Sequence, residues 1–198
     1  LFGLYDWRFE VLGMMFHTLD MEKEFGVGPH TISVPRLEPA IDTPFVKQTP
    51  YPVSDADFKK LVAILRLAVP YTGLILTCRE KPELKREVIK VGVSQIDAGS
   101  NIGIGAYHES QKAQQLERQQ FQLADSRSLD EVIRELAEDG YVPSFCTACY
   151  RKGRTGDHFM GLARKAFIKQ FCAPNANCTF QEYLEDFASE ETKIAGQK

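Results

Sequence analysis

The chain has 198 residues, 43% of them hydrophobic and 26% charged, with a formal net charge of -3. That is globular composition, and it lacks the surplus of Lys and Arg that phosphate binding needs, so nucleic acid is excluded as the expected partner. No stretch approaches the ~18 consecutive apolar residues of a membrane span, and Leu1 to Arg8 lack the basic and apolar runs of a signal peptide, so no membrane partner is expected and the location is read as cytoplasmic.

Leu1 to Leu4 reads as the middle of a strand rather than a natural start. From Asp6 to Phe25, Phe9, Leu12, Phe16 and Leu19 recur at helical spacing, and Gly26 and Gly28 close the segment. His30 to Leu37 predicts a strand ending at Pro35, with Ile32 and Val34 on one face. Pro39, Pro44, Pro50 and Pro52 predict an extended loop. Ser54 followed by Asp57 predicts a helix start, Phe58, Leu61, Val62, Leu65 and Val69 form its stripe, and Pro70 stops it. A strand at 73–77, a helix from Pro82 to Gly92 and a strand at 93–96 follow.

Helices alternating with short apolar strands predict a parallel sheet covered by helices, in about three βα units. A closed eight-unit barrel takes ~250 residues, so an incomplete barrel wall is expected over residues 1–97. From residue 98 onward the texture changes: Gly99, Gly103 and Gly105 mark a loop, and Gln-rich sequence runs to Gln122. Ser128 with Glu131 predicts a helix to Asp139, Thr179 with Glu182 a last helix to about Ala188, and the tail from Ser189 reads as frayed.

There are five cysteines, none before Cys78. Clustered late in a chain without secretory features, they read as a metal site rather than a disulfide framework. Cys146 and Cys149 are two residues apart, and Cys172 follows after 22 intervening residues. Three such thiolates fill three of the four positions around a zinc ion or an iron–sulfur cluster. With Cys178 the same set makes a zinc knuckle, so both readings stand. Cys78, at the end of an apolar strand, reads as a packed core thiol. Arg36, Ser94, Arg127 and Arg154 are candidates for holding carboxylates, or alternatively surface ion pairs.

The segment Phe145-Cys146-Thr147-Ala148-Cys149-Tyr150-Arg151-Lys152-Gly153-Arg154-Thr155-Gly156, the cysteine spacing, and Gly28-Pro29-His30-Thr31-Ile32-Ser33-Val34-Pro35-Arg36 together resemble the radical-SAM tyrosine lyases of the FeFe-hydrogenase maturase type, HydG. The resemblance spans nearly the whole chain. It implies an α/β fold: the last strands and helices of a (β/α)8 TIM-type radical-SAM barrel, then a mostly helical auxiliary-cluster domain over 98–198 of the biotin and thiamin synthesis-associated type.

It implies further that Cys146, Cys149 and Cys172 hold a 4Fe-4S auxiliary cluster, with His30 on an extra iron to which a free cysteine is a possible further ligand. Phe2 and Gly3 would belong to the S-adenosylmethionine site, and Arg36, Ser94 and Arg127 to the tyrosine site. The complete enzyme would carry a second 4Fe-4S cluster, convert tyrosine to p-cresol and dehydroglycine and then to iron-bound CO and CN, and work with other hydrogenase maturation proteins. No Cys-x3-Cys-x2-Cys occurs in these residues, so the chain alone is expected not to cleave S-adenosylmethionine. Asn101 stands where family members often have arginine, which bears on the substrate clamp. The alternatives are the thiamine-pathway tyrosine lyase, 2-iminoacetate synthase, and a non-catalytic zinc-binding module.

Overall fold

A computed structural model of the chain describes residues 1–104, 117, 119–145 and 157–197, and these fall into two compact units, Leu1–Ser126 and Arg127–Lys198. The break lies later than the change of sequence texture at residue 98. The Gln-rich run lies largely outside the described residues, as do Gly105, Cys146, Cys149 and Arg154.

In the first unit, α1 (Trp7–Phe25) starts where the Asp6 carboxylate accepts from the Arg8 amide at 2.8 Å, and it ends at Gly26 in the left-handed region. A short helix, α2 (Pro44–Gln48), interrupts the expected loop, with Pro44 in its first turn where the missing N–H costs nothing. The Ser54 hydroxyl caps α3 (Asp55–Ala68) by accepting from the Asp57 amide. Pro82 opens α4 (Pro82–Ile89). Gly92 lies at φ +130°, and a Cβ there would come within 2.6 Å of the Arg66 side chain, so glycine is required for two reasons at once.

Strands β1 (Thr31–Ser33), β2 (Gly73–Leu76) and β3 (Gln95–Ile96) form a parallel sheet in the order β1-β2-β3, and Phe2 extends it by a parallel bridge to Arg36. Phe58, Leu61, Val62 and Leu65 of α3 pack on Ile32, Val34, Leu74 and Leu76, with Leu84 and Val88 of α4 in the same core. Each such side chain contributes about 1.5–3 kcal/mol by leaving water.

Ile32 and Val34 therefore face the helices. Alternation puts the β-branched pair against the apolar stripe of α3, leaving Thr31, Ser33, Gly73, Ile75 and Gln95 on the other face, which is not fully buried. α1 buries a face other than its apolar stripe. Its packing residues are Trp7 and Val11, with Met14 and Met15 at the edge of the core, whereas the stripe Phe9, Leu12, Phe16 and Leu19 is exposed.

The second unit contains α5 (Leu129–Glu138), α6 (Asp157–Arg164), α7 (Lys169–Asp186) and α8 (Glu190–Gly196). Ser128 and Glu131 form the expected reciprocal capping box. Thr179 does not start a helix. It lies inside α7, where its hydroxyl donates to the Ala176 carbonyl at 3.2 Å. Nor is the tail frayed: the Ser189 hydroxyl caps α8 by accepting from the Thr192 amide, and α8 buries Thr192 and Ala195.

Candidate functional site

Parallel α/β sheets place their binding sites beyond the carboxyl ends of the strands, because the connecting loops converge there. In the first unit that end holds a cleft of about 300 Å³, whose walls include Phe2, Gly3, Arg36, Glu38, Arg79 and Glu80. The sheet supplies these positions directly: Arg36 follows β1, and Arg79 and Glu80 follow β2. Phe2 packs its ring into the core and Gly3 forms the wall, its carbonyl accepting from the Thr49 hydroxyl at 2.7 Å.

Arg36 organises this mouth. Its Nε donates to both oxygens of the buried Glu80 carboxylate at 3.0 and 3.1 Å, and Nη1 donates to the Val53 carbonyl and the Asp55 carboxylate, both at 2.8 Å. Nη2 closes a bidentate pair with Glu80, and the guanidinium lies over the Phe58 ring. Burial opposes its charge, but Glu80 and Asp55 more than offset that and hold its pKa above the ordinary arginine value. With these donors engaged, Arg36 serves the cleft chiefly by fixing Glu80.

Glu38 shares the cleft. Burial, then the charge of Glu80, push its carboxyl up to about 7, against the pull of Arg36, Arg79 and Lys81. Arg79 sits over the Phe121 ring, 3.5 Å from its centroid, and donates to the Arg36 carbonyl at 3.4 Å. Burial lowers its pKa.

Beneath the cleft, Lys85 of α4 reaches the Asp125 carboxylate at 2.8 Å and the Asp97 carbonyl at 3.3 Å, and the pair is almost wholly buried. The Cys78 carbonyl accepts from the amides of Ala124 and Asp125, so residues 124–125 are tied to the end of the sheet. Cys78 itself is buried, as expected of a core thiol. Burial pushes the Asp97 carboxyl above its usual range, against the pull of Lys85.

His30 is at the opposite end of the sheet, one residue before β1, half-buried, with its carbonyl accepting from the Gly73 amide at 2.8 Å. Five residues separate it from Arg36, six steps of extended chain or roughly 20 Å. Ser94 is also remote from the cleft end, since its hydroxyl accepts from the amide of Leu74 early in β2. The structure thus brings Phe2, Gly3 and Arg36 together and leaves His30 and Ser94 elsewhere. Arg127 belongs to the second unit, where it pairs with Glu135 at 3.0 Å.

In that unit Cys172 lies in the first turns of α7, with its amide bonded to the Ile168 carbonyl and its side chain exposed. Cys178 is exposed on the same helix. Cys146 and Cys149 lie outside the described residues, and among those that are described no group of three or more His, Cys, Asp or Glu could hold a metal ion. The chemistry of an exposed helix thiol suits a soft metal, zinc or an iron–sulfur cluster alike, whereas Cys78 is buried.

Asp130 is the polar hub of the unit. It accepts from the Tyr183 hydroxyl at 2.9 Å, from the Ser189 hydroxyl at 2.6 Å and from the Thr192 hydroxyl at 2.8 Å. Burial raises its pKa, but those bonds outweigh it and hold the carboxyl below its usual range. Burial, then Asp130, push Tyr183 up to about 12.

Glu38, Glu80, Lys85, Asp125 and Asp130 were not singled out from sequence. Glu80 alone carried a usable signal, a charged residue just past an apolar strand in a parallel sheet. The others depend on partners distant in the chain.

The Biotin and Thiamin Synthesis associated domain model matches residues 33–142. Two curated relatives are 2-iminoacetate synthases, from Salmonella typhimurium at 31% identity and Escherichia coli at 29%, each over 147 residues. The match takes in 72% of this chain and 36% of either enzyme. Among solved structures, a crystal structure of HydG, a maturase of the [FeFe]-hydrogenase, is similar with a TM-score of 0.91 and 54% identity, over 100% of this chain and 42% of that one. HydG from Carboxydothermus hydrogenoformans is similar with a TM-score of 0.71 and 43% identity, over 94% of this chain and 38% of that one. The chain thus spans well under half the length of these relatives.

Proposed function

The chain belongs to the Biotin and Thiamin Synthesis associated domain family, and from that membership we propose that it is the carboxy-terminal part of a radical-SAM tyrosine lyase of the HydG type. The complete enzyme would convert tyrosine to p-cresol and dehydroglycine, and then to iron-bound CO and CN for the FeFe-hydrogenase active site. The observation that carries this reading is the likeness to HydG along the whole chain, with the Cys146, Cys149 and Cys172 set inside it.

Cys146, Cys149 and Cys172 would hold the auxiliary 4Fe-4S cluster, and His30 the extra iron, for which its imidazole must be neutral. Such a cluster, held by three thiolates, supplies an iron with an open position for small ligands. The cleft at the carboxyl end of the sheet suits a zwitterion, since Arg79 and Lys81 offer positive charge and Glu38 and Glu80 carboxyls. Both S-adenosylmethionine and tyrosine carry an α-amino and a carboxylate group. Arg36 would orient this mouth through Glu80. The exposed stripe on α1 and the partly open face of the sheet support the reading of the first unit as part of a barrel wall.

Anaerobic reconstitution of the chain with iron and sulfide, followed by electron paramagnetic resonance, tests the proposal. A cubane signal is expected, lost in Cys146→Ser, while His30→Ala keeps the cubane and lowers total iron. Colourless zinc in place of iron and sulfide would sink the cluster reading. Unchanged iron in His30→Ala would remove that histidine from the ligand set alone.

A further inference from the structure

Residues 121–125 cross the carboxyl end of the sheet and are tied down along their length. The Gln122 amide donates to the Pro39 carbonyl, in the loop that follows β1, at 2.9 Å. The amides of Ala124 and Asp125 donate to the Cys78 carbonyl, just past β2, at 3.1 and 3.0 Å. Leu123 is buried, and Ala124 forms part of the cleft wall. The Asp125 carboxylate then meets Lys85 of α4 at 2.8 Å, with side chains only 1% and 2% exposed. The same ammonium donates to the Asp97 carbonyl at 3.3 Å, so one buried cation ties the segment both to α4 and to the end of β3.

A buried ion pair adds little net stability, because desolvating both charges offsets their attraction. What it supplies is geometry: the carboxylate has one partner in one direction, and the chain that bears it is fixed accordingly.

The segment also carries Phe121, whose ring lies against the Arg79 guanidinium with its centroid 3.5 Å away. Among the described residues, the Arg79 side chain makes one hydrogen bond, to the Arg36 carbonyl at 3.4 Å. Glu38 and Glu80 attract its charge, but the Glu80 carboxylate is taken up by Arg36. A long side chain loses rotamer freedom when it grips a ligand. A ring against the flat face of a guanidinium removes that freedom beforehand and uses none of its donors, which lie in the plane.

We propose that residues 121–125 are a strap pinned by the Lys85–Asp125 pair, and that its Phe121 ring pre-orients Arg79 for the carboxylate of an amino-acid ligand. Phe121, Asp125 and Lys85 are then positioning residues of the cleft. The purpose rests on reading the cleft as a site for a zwitterion, whereas the strap and the stacking do not.

In the test, the whole chain is treated with phenylglyoxal, a dicarbonyl selective for guanidinium groups, and labelling at each arginine is mapped by mass spectrometry. Phe121→Leu keeps apolar bulk and loses the π face, so Arg79 should label roughly three- to tenfold faster, and Phe121→Tyr should restore the slow rate. Helical circular dichroism should be the same in all three proteins. Lys85→Met combined with Asp125→Asn tests the pin and leaves no unpaired charge buried. Amide exchange at residues 124 and 125 should then quicken on the order of tenfold while Leu74 and Leu76 of β2 keep their protection. Arg79 should again label faster.

L-Tyrosine or S-adenosylmethionine should slow Arg79 labelling in the unmutated chain, tyramine, which lacks the carboxylate, should not, and Phe121→Leu should weaken the protection. Equal Arg79 labelling in Phe121→Leu and the unmutated chain would overturn the inference, as would unchanged exchange at residues 124 and 125 without the ion pair. If neither ligand protects Arg79 while the Phe121→Leu difference persists, the zwitterion reading of the cleft fails and the strap stands.

Discussion

Glu38 shows how a single side chain acquires a property through its neighbours. Its carboxyl is drawn up to about 7 because burial and the Glu80 charge, itself pinned by Arg36, disfavour a second anion in the cleft. A carboxyl whose folded pKa lies above its unfolded value binds a proton more tightly when folded. Its contribution to stability is therefore full below the usual carboxylate range and is lost as pH rises through about 7. The denaturant midpoint of the chain should fall between about pH 5 and pH 8, and Glu38→Gln should flatten that slope. An unchanged slope in Glu38→Gln would assign it to another group. Arg79 and Lys81 temper the effect and do not reverse it.

Among the elements, α8 departs most from what its residues suggested. Seven residues rich in Glu and Lys, with Gly196 at the end, have the local look of a frayed terminus, and a helix so short does not hold by itself. It holds because Ser189 and Thr192 converge on Asp130 of α5, a partner some sixty residues earlier that no local pattern reveals. Ser189→Ala removes both the cap and a bond to a carboxylate, and should cost about 1–2 kcal/mol in equilibrium unfolding. The amide of Ala195 should exchange much faster in that variant. Protection at Ala195 equal to the unmutated chain would mean that apolar contact, not the cap, holds the helix. Thr179 illustrates the converse: a Thr-x2-Glu pattern matches a cap, yet helix continues through it because nothing at that point breaks it.

For the molecule as a whole, the informative feature is an exposed apolar stripe. Phe9, Leu12, Phe16 and Leu19 follow one another along a face of α1, with Phe9 65% and Phe16 66% exposed, while Trp7 and Val11 already fill the core. A helix apolar on two faces is suited to lie between two layers or two neighbours. Phe9→Gln with Phe16→Gln should therefore reduce apolar dye binding and self-association of the isolated chain, and leave its stability within about 0.5 kcal/mol. A large loss of stability would instead place the stripe inside the chain's own core.

Much of the secondary structure was legible in the residues alone because its signals are local. The stripe of α3, the Ser54 and Ser128 caps, Pro82, Gly92 and the parallel strands all follow from period, capping and backbone freedom. The cysteine spacing and its family likeness were legible for the same reason, being written along the chain. What a local pattern leaves undetermined is which of two apolar faces meets the core. The periodicity of α1 is the same whichever side is buried, and alternation in β1 marks Ile32 and Val34 as partners without saying what they face. Packing against α3 decided both. The charged pairs Arg36–Glu80 and Lys85–Asp125 and the Asp130 hub likewise join residues 40 to 62 positions apart. Only the folded backbone brings such groups within hydrogen-bond range, and their burial together is what sets their charge states.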